Sequence, residues 1–394
     1  RGEKTASLTL NRATDSMRQP GSTFKIVSTY APALNELGMS LATTYEDQPI
    51  TYPNGAPVNN ASNSFSGTVT IRTAIRNSIN TVAVQCLEDV TPELGLKYLD
   101  NFGFTTLAHG TEADTDANGN VYTDANLPTA LGGLTYGVTN VELCAAYAAI
   151  ANNGTYIKPV YYTKILDHNG NVLIENNSAG RSVIKESTAF LLTSAMEDVV
   201  QNGTGTACQL DNMAVAGKTG TTEDYNDLWF VGYTPYYTCA VWSGYDGNQK
   251  LPDDARNFHK NLWRKVMSRI HQGMAYKDFD QPASVEKVAV CADSGLLPMD
   301  GCPVIEEYFD VGTIPTEYCE LHYYEEYDEE EQDMEIYDQE QLDPNNPDGA
   351  NTDNPNTPDN PDNPDNTGNT ETPDNTDNGT GGDTTGGGDI TYYD

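Results

Sequence analysis

Apolar residues recur at helical spacing immediately after a tight turn near the start of the chain. The turn is a Pro-Gly pair at 20–21, and the apolar positions after it are Phe24, Ile26, Val27, Tyr30, Ala33 and Leu34. This spacing predicts a core helix that starts at Ser22 and ends near Leu37, where Gly38 suits the position after a helix end. Pro32 inside it predicts a kink or a local break, because proline lacks the backbone N–H.

Further periodic segments predict a mixture of helices and antiparallel strands. Helical patterns cover residues 70–76, a segment that starts at Thr81, and residues 141–151, 188–200 and 258–272. Strand patterns cover residues 155–166, 171–175, 228–233 and 237–245. The last two strands are joined by a short turn at 234–235, so an antiparallel pair is expected. The apolar face predicted for the last helix consists of Leu262, Trp263, Val266 and Ile270.

The charge of the chain is strongly negative and unevenly distributed. The 394 residues contain 21 Lys and Arg against 58 Asp and Glu, which gives a formal charge of −37. From Leu321 onward there are 22 acidic residues and no Lys or Arg. This balance excludes binding of nucleic acid through a basic patch. The chain has no apolar run of about 18 residues and no signal peptide, and it starts at Arg1. We therefore expect a fragment whose anchor or targeting segment precedes Arg1.

The first candidate for chemistry is Ser22 with Lys25, one helical turn further on. A serine hydroxyl needs an adjacent base to act as a nucleophile, and lysine can be that base if its pKa is lowered. The same spacing occurs at Ser182 and at Ser284. Those two pairs are interpreted as ordinary surface residues, because only Ser22 follows a turn and opens a helix.

Two further motifs follow along the chain. Ser78-x-Asn80 lies at a break between two helical segments, where Ser78 either caps the second helix or presents its hydroxyl to a cleft; the sequence leaves both open. Lys218-Thr219-Gly220 is not the end of a phosphate-binding loop, because such a loop requires glycine at position 212, where Asn212 stands. Glycines beside a Lys-Thr pair on a strand instead allow a substrate backbone to approach the strand edge.

In this order, the three motifs resemble the signature shared by penicillin-binding proteins and serine β-lactamases. Residues 11–13, 18–22, 203–205 and 229–235 resemble the transpeptidase domain of class A penicillin-binding proteins, and the likeness extends over about residues 5–320. The resemblance implies an α/β (α+β) sandwich. In it, a five-stranded antiparallel sheet carries Lys218-Thr219-Gly220 on an inner strand, and a separate helical cluster carries Ser22.

The resemblance also implies a role for each catalytic residue. Ser22 would attack the D-Ala-D-Ala carbonyl of a peptidoglycan stem peptide and release the terminal D-Ala. Lys25 would be the base for acylation, and Ser78 would relay a proton toward the leaving amine. Asn80 would hold the substrate amide, and Lys218 would supply positive potential.

Substrate binding is assigned, again by resemblance, to the strand motif and the residues after it. Thr219 and Thr221 would bind the terminal carboxylate, within a substrate-binding set completed by Gly220 and Thr222. The backbone N–H groups of Ser22 and Thr221 would form the oxyanion hole. The resemblance implies no cofactor and no catalytic metal.

The implied activity is cross-linking of peptidoglycan through an acyl-enzyme on Ser22, with β-lactams as inhibitors, at the extracytoplasmic face of a bacterial membrane. Three alternatives share the motifs: a β-lactam receptor, a β-lactamase and a D,D-carboxypeptidase. A β-lactamase needs a deacylating carboxylate in a Glu-x-x-Leu-Asn pattern, which is absent; Glu93 follows Asn80 closely and lies at a predicted helix start.

The sequence predicts three regions: a transpeptidase domain at 1–275, a cysteine-containing segment at 276–325 and a disordered acidic tail at 326–394. Cys291, Cys302, Cys319 and His322 fall in the second region. A zinc site is disfavoured because the spacing lacks a close cysteine pair. A disulfide between two of the cysteines is favoured, and free thiols stay open.

Overall fold

The computed structural model describes residues 9–322, and it combines helices with small antiparallel sheets. Among these residues, no helix is both long and apolar enough to cross a membrane. The helices are α1 (Ala31–Glu36), α2 (Ile71–Asn77), α3 (Asn80–Val90), α4 (Pro92–Asn101), α5 (Asn140–Ala151), α6 (Glu186–Asn202) and α7 (Phe258–Ile270).

The strands form six sheets within the described part of the chain. They are β1 (Thr44–Asp47), β2 (Ile50–Thr51), β3 (Pro57–Val58), β4 (Gly67–Thr70), β5 (Thr155–Tyr156), β6 (Lys164–Leu166), β7 (Val172–Glu175), β8 (Arg181–Ser182), β9 (Ala216–Thr221), β10 (Asp227–Tyr233), β11 (Thr238–Gly244), β12 (Val285–Cys291) and β13 (Val304–Asp310). The largest sheet has the order β11-β10-β9, and β10 is antiparallel to both neighbours.

The segment that begins at Ser22 is helical but changes its winding along its length. A 3₁₀ turn, Gly21–Thr23, passes into wider π-type turns over Lys25–Tyr30 and then into α1. Pro32 lies in the first turn of α1, where its missing N–H is tolerated, so the predicted break appears as a change of helix type. Gly38 has a φ of 67° and follows the helix end as expected.

The five-stranded sheet is not confirmed, because the sheet that carries the Lys-Thr-Gly motif has three strands in the described part of the chain. The C-terminal strands β12 and β13 pair with each other over seven residues and form a separate hairpin. The motif strand β9 is not an inner strand either. It pairs with β10 on one side, and its other edge faces the turn at Gly21.

The buried face of α7 differs from the predicted one. His259, Trp263 and Met267 are buried, four residues apart. Trp263 packs edge-on against Phe230 of β10 and donates a hydrogen bond to the Cys239 carbonyl. The remaining residues of the predicted face, Leu262, Val266 and Ile270, are all exposed by more than a third. The sequence pattern could not distinguish the predicted face of α7 from the buried one, since both include Trp263.

A buried ion pair connects the C-terminal hairpin to the helices. Arg72 of α2 binds both carboxylate oxygens of Glu307 on β13, at 2.5 and 2.6 Å, and Glu307 is 2% exposed. The same guanidinium donates to the carbonyl and hydroxyl of Ser194 on α6. Ser187 of α6 also donates a hydrogen bond to Asp310 at the end of β13.

The acidic tail at 326–394 lies outside the described residues, so its disorder stays a prediction.

Replacing Glu307 with alanine should destabilise the fold by about 3–5 kcal/mol, because the half-buried Arg72 would keep its charge without its partner. The matched control is Glu306→Ala, which removes an exposed pair with Lys287 and should change stability by about 0.5 kcal/mol or less. The free energy of unfolding would be measured by denaturant titration. Equal effects of the two substitutions would contradict a docking role for Glu307.

Candidate active site

The turn that carries Ser22 is held on both sides by hydrogen bonds to its backbone. Thr23 donates from its side chain to the Pro20 carbonyl at 2.8 Å, and buried Tyr147 donates to the Thr23 carbonyl at 2.7 Å. Trp229 of β10 donates to the Gln19 carbonyl at 2.9 Å. Ser22 itself is half-buried and lines a cleft. The backbone of the turn that carries Ser22 is thus held by α5 and by the β11-β10-β9 sheet.

Close backbone contact between this turn and β9 depends on glycine. Gly21 has a φ of 56°, and a Cβ there would lie 2.9 Å from the Thr221 carbonyl oxygen. A Cβ on Gly220 would lie 2.5 Å from the Pro20 carbonyl oxygen. Contacts this short are sterically forbidden, so any side chain would force the two segments apart. The two glycines therefore place the Ser22 turn directly beside the free edge of β9.

Lys25 is fully buried beneath the cleft. Its Nζ donates to the Ser78 carbonyl at 2.7 Å and to the Asn80 side-chain oxygen at 2.6 Å, and it lies 3.4 Å from the Ser78 hydroxyl. The first two motifs of the sequence are therefore in direct contact. Lys25 and Asn80 are separated by 55 positions in the chain, so this contact is a product of the fold.

Ser78 does not cap α3, which settles the alternative that the sequence left open. It ends α2 in a left-handed conformation with a φ of 58°, and Ile79 is the N-cap of α3. Its hydroxyl accepts a hydrogen bond from Lys218 Nζ at 2.8 Å. A non-glycine residue in this region of backbone space is uncommon, and such strain is concentrated at functional sites.

Burial changes the protonation of both lysines. It lowers the pKa of Lys25 well below its ordinary 10.5, and the positive charge of Lys218 lowers it further. Burial also lowers the pKa of Lys218, to about 7. Because a buried ammonium loses its hydration, the neutral amine of Lys218 becomes accessible near neutral pH, and the neutral form of Lys25 is favoured relative to that of an exposed lysine. A neutral Lys25 amine beside Ser78 can accept a proton.

The residues of β9 and the loop after it form one wall of the cleft. Thr219 shares a hydrogen bond of 2.7 Å with Thr204, from the Gly203-Thr204-Gly205 segment. Thr221 and Thr222 line the same wall, and Lys218 lies buried behind it. The wall thus presents hydroxyl groups and a strand edge to the cleft, with positive charge behind it.

Sequence reasoning missed a polar network that supports Asn80. Asn60 accepts a hydrogen bond from the Asn80 backbone N–H at 2.9 Å and donates to buried Asp47 at 2.7 Å. Asp47 also accepts from Thr81 at 2.6 Å, and the Asn80 side chain donates to the Asn59 carbonyl. Asp47, Asn59 and Asn60 lie in the polar stretch 41–68, which has no periodicity. No sequence signal separated them from ordinary loop residues.

The cleft has a volume of about 510 Å³. Of the predicted site residues, it is lined by Ser22, Ser78, Asn80, Thr219, Thr221 and Thr222, while Lys25, Lys218 and Gly220 are placed by the contacts above. Glu93 is exposed in the first turn of α4 and does not line the cleft. A larger cavity of about 830 Å³, next to Glu142 and Arg181, is lined by none of the motif residues.

The two lysines should titrate as a coupled pair. We expect the Lys218 amine to lose its proton near pH 7, because burial destabilises its charge. Lys218→Met should raise the pKa of Lys25, since the neighbouring charge is removed, but burial should still hold it below 10.5. Side-chain NMR of ¹³C-lysine-labelled protein across pH would measure both. Lys287→Met, at an exposed site, serves as the control, and a Lys218 signal that titrates at 10.5 would refute the expectation.

Comparison with known proteins assigns the chain to a family. Residues 2–268 match the family described as penicillin binding protein transpeptidase domain, and residues 281–324 match the C-terminal domain of penicillin-binding protein 1A. Penicillin-binding protein 1A of Clostridium botulinum is 33% identical over 322 residues, which cover 78% of this chain and 37% of that protein. Penicillin-binding protein 4 of Bacillus subtilis is 35% identical over 236 residues, covering 60% of this chain and 36% of that protein.

Solved structures show the same fold. Penicillin-binding protein 1A of Haemophilus influenzae has a TM-score of 0.65 at 23% identity, covering 78% of this chain and 50% of that one. PonA1 of Mycobacterium tuberculosis, in complex with penicillin V, has a TM-score of 0.61 at 25% identity, covering 71% and 75%. The chain spans well under half the length of these curated relatives. It belongs to the penicillin-binding protein transpeptidase family and is a transpeptidase domain of the class A type.

Proposed function

We propose that this domain is a serine D,D-transpeptidase that cross-links peptidoglycan stem peptides through an acyl-enzyme on Ser22. The observation that carries the proposal is the junction at Ser78. There the hydroxyl lies within 3.4 Å of the amine of buried Lys25 and 2.8 Å of the amine of buried Lys218. Ser22 lines the same cleft as Ser78. A cleft that combines a serine hydroxyl with proton-transfer groups of lowered pKa has the groups that acyl transfer requires.

In the acylation step, Ser22 Oγ attacks the carbonyl carbon of the penultimate D-Ala, and its proton passes to the neutral amine of Lys25. The tetrahedral adduct then collapses as the C–N bond breaks. The proton moves from Lys25 through the Ser78 hydroxyl to the leaving D-Ala nitrogen, so the enzyme regains its starting protonation. The short hydrogen bond from Lys218 to Ser78 stabilises the oxygen that relays the proton.

The free edge of β9 is the proposed binding site for the donor peptide. An extended peptide can pair with a strand edge that is not paired to another strand. The hydroxyls of Thr219 and Thr221 would bind the terminal carboxylate in the field of Lys218. The backbone N–H groups of Ser22 and Thr221 would bind the oxyanion. The close packing of Gly21, the residue before Ser22, against the Thr221 backbone supports this role.

A second stem peptide would complete the reaction with its amine, which displaces Ser22 and forms the cross-link. The exposed position of Glu93 in α4 argues against its use as a deacylating base, and so disfavours a β-lactamase. The solved relative in complex with penicillin V supports β-lactams as inhibitors of this domain. Action at the extracytoplasmic face of a bacterial membrane is part of the same proposal.

Labelled penicillin should form a covalent adduct at Ser22, because a β-lactam carbonyl would occupy the place of the donor carbonyl. Ser22→Ala should abolish labelling, measured by intact mass and peptide mapping. Ser284→Ala removes the serine of another Ser-x-x-Lys pair and should label normally. Unchanged labelling of Ser22→Ala, or an adduct at Ser182, would refute the assignment.

The penicilloyl adduct should persist for many minutes to hours, since no carboxylate is assigned to activate water against it. Time-resolved intact mass after removal of free penicillin would follow its loss. Rapid turnover of a chromogenic cephalosporin would instead indicate a β-lactamase. Release of D-Ala from a stem peptide, with no product in which the peptide is joined to an added amine, would indicate a carboxypeptidase. A stable penicilloyl adduct together with neither D-Ala release nor joining to an amine would indicate a receptor.

A further inference from the structure

Three cysteines and a histidine converge in the segment after the transpeptidase match. The ligand atoms of Cys291, Cys302, Cys319 and His322 all lie within 4.8 Å of one another. The three sulfur atoms are 3.5, 3.4 and 3.4 Å from His322 Nδ1, in the order of the chain. The sequence favoured a disulfide between two of these cysteines, but all three are free thiols and all face the same imidazole nitrogen.

The hairpin and the loops beside it bring the four residues together. Cys291 is the last residue of β12, and Cys302 lies two residues before β13. The returning chain adds Cys319, whose N–H donates to the Leu297 carbonyl at 2.8 Å. These contacts are formed by loops that the spacing of cysteines in the sequence cannot reveal, because no two of the cysteines are close neighbours in the chain.

The three sulfur–nitrogen distances fit a tetrahedral zinc ion. Zinc bonds of about 2.3 Å to sulfur and about 2.0–2.1 Å to nitrogen, at tetrahedral angles, separate sulfur from nitrogen by about 3.6 Å. The observed separations of 3.4 to 3.5 Å agree with this value. Three thiolates and one imidazole are a known structural zinc set, and soft sulfur ligands disfavour calcium and magnesium.

The surroundings of the cluster are those of a metal site. Asp293 Oδ2 lies 3.2 Å from His322 Nε2, on the far side of the ring from the sulfur atoms. A carboxylate in this position accepts a hydrogen bond from Nε2–H and so leaves the Nδ1 lone pair free for a metal. The Met299 backbone N–H donates to Cys302 Sγ at 3.3 Å, which stabilises negative charge on that sulfur.

We propose that Cys291, Cys302, Cys319 and His322 bind one zinc ion that holds the C-terminal segment together. The four protein ligands fill the tetrahedral set, so the site is structural and has no position for a substrate. Additional support is expected because the apolar cluster beside the site is small: Ala42, Val290 and Phe309 are buried, and Val288, Ile305 and Ile314 pack partly buried against them. This proposal does not depend on the chemistry assigned to Ser22.

The test is the metal content of the complete 394-residue chain, produced with zinc under reducing conditions. Mass spectrometry of the metals should find close to one zinc ion per chain, and Cys319→Ser should lose it. The control Cys144→Ser, at a half-buried cysteine outside the cluster, should retain it. Wild-type protein without zinc, or with two of the three cysteines joined in a disulfide in its intact mass, would overturn the proposal.

Cobalt gives a second readout that loss of folding cannot imitate. Wild-type chain loaded with Co²⁺ should show the visible bands of a tetrahedral site and thiolate charge transfer in the near ultraviolet, and added zinc should remove both. Asp293→Asn keeps all four ligands and should weaken zinc binding by about 10–100-fold in competition with a chromogenic chelator. Octahedral cobalt spectra would contradict the tetrahedral ligand geometry. A zinc affinity of Asp293→Asn equal to that of the wild type would contradict the role of Asp293.

Discussion

The burial of two lysine side chains around one serine hydroxyl is the constraint on which the site depends. The hydrogen-bond partners of Lys25 and Lys218 in the described structure are neutral oxygens of Ser78, Asn80 and Thr219. Burying two cations without a carboxylate partner is energetically unfavourable, and the pKa values of both lysines are lowered as a result. Desolvation thus gives Lys218 a neutral amine near pH 7, and desolvation together with the charge of Lys218 favours the neutral amine of Lys25.

This arrangement requires a rigid frame, since desolvation is effective only while water is kept out. Phe24 packs against Phe104 on one side of the Ser22 segment, and Tyr147 and Trp229 hold its turn on the other. The Asp47–Asn60 pair fixes the start of α3 and thereby Asn80. The parts that carry chemistry are therefore attached to the core at several independent points.

Local patterns predicted several of the helices and strands and named the residues whose side chains meet at Ser78, but they did not predict the long-range pairing. Apolar periodicity predicted α5, α6 and the β10–β11 pair, and the motifs identified every residue that meets at Ser78. The same reasoning predicted the wrong buried face for α7, because the predicted face and the observed one share Trp263. It also predicted β9 as an inner strand, because local patterns do not determine the order of strands in a sheet. It also missed the Asp47–Asn60 network and the convergence of the cysteines, because these contacts join loops that have no periodicity.

The left-handed backbone at Ser78 limits which residues the position can hold. Branching at Cβ is strongly disfavoured at a φ of 58°, so threonine could keep the hydroxyl only by straining the chain. Glycine would relax the backbone but would remove the oxygen that both lysines approach. Asparagine tolerates this conformation, yet it would bring a larger amide into a space shared by two amines. Mutational tolerance at this one position is therefore narrow for reasons of conformation as well as chemistry.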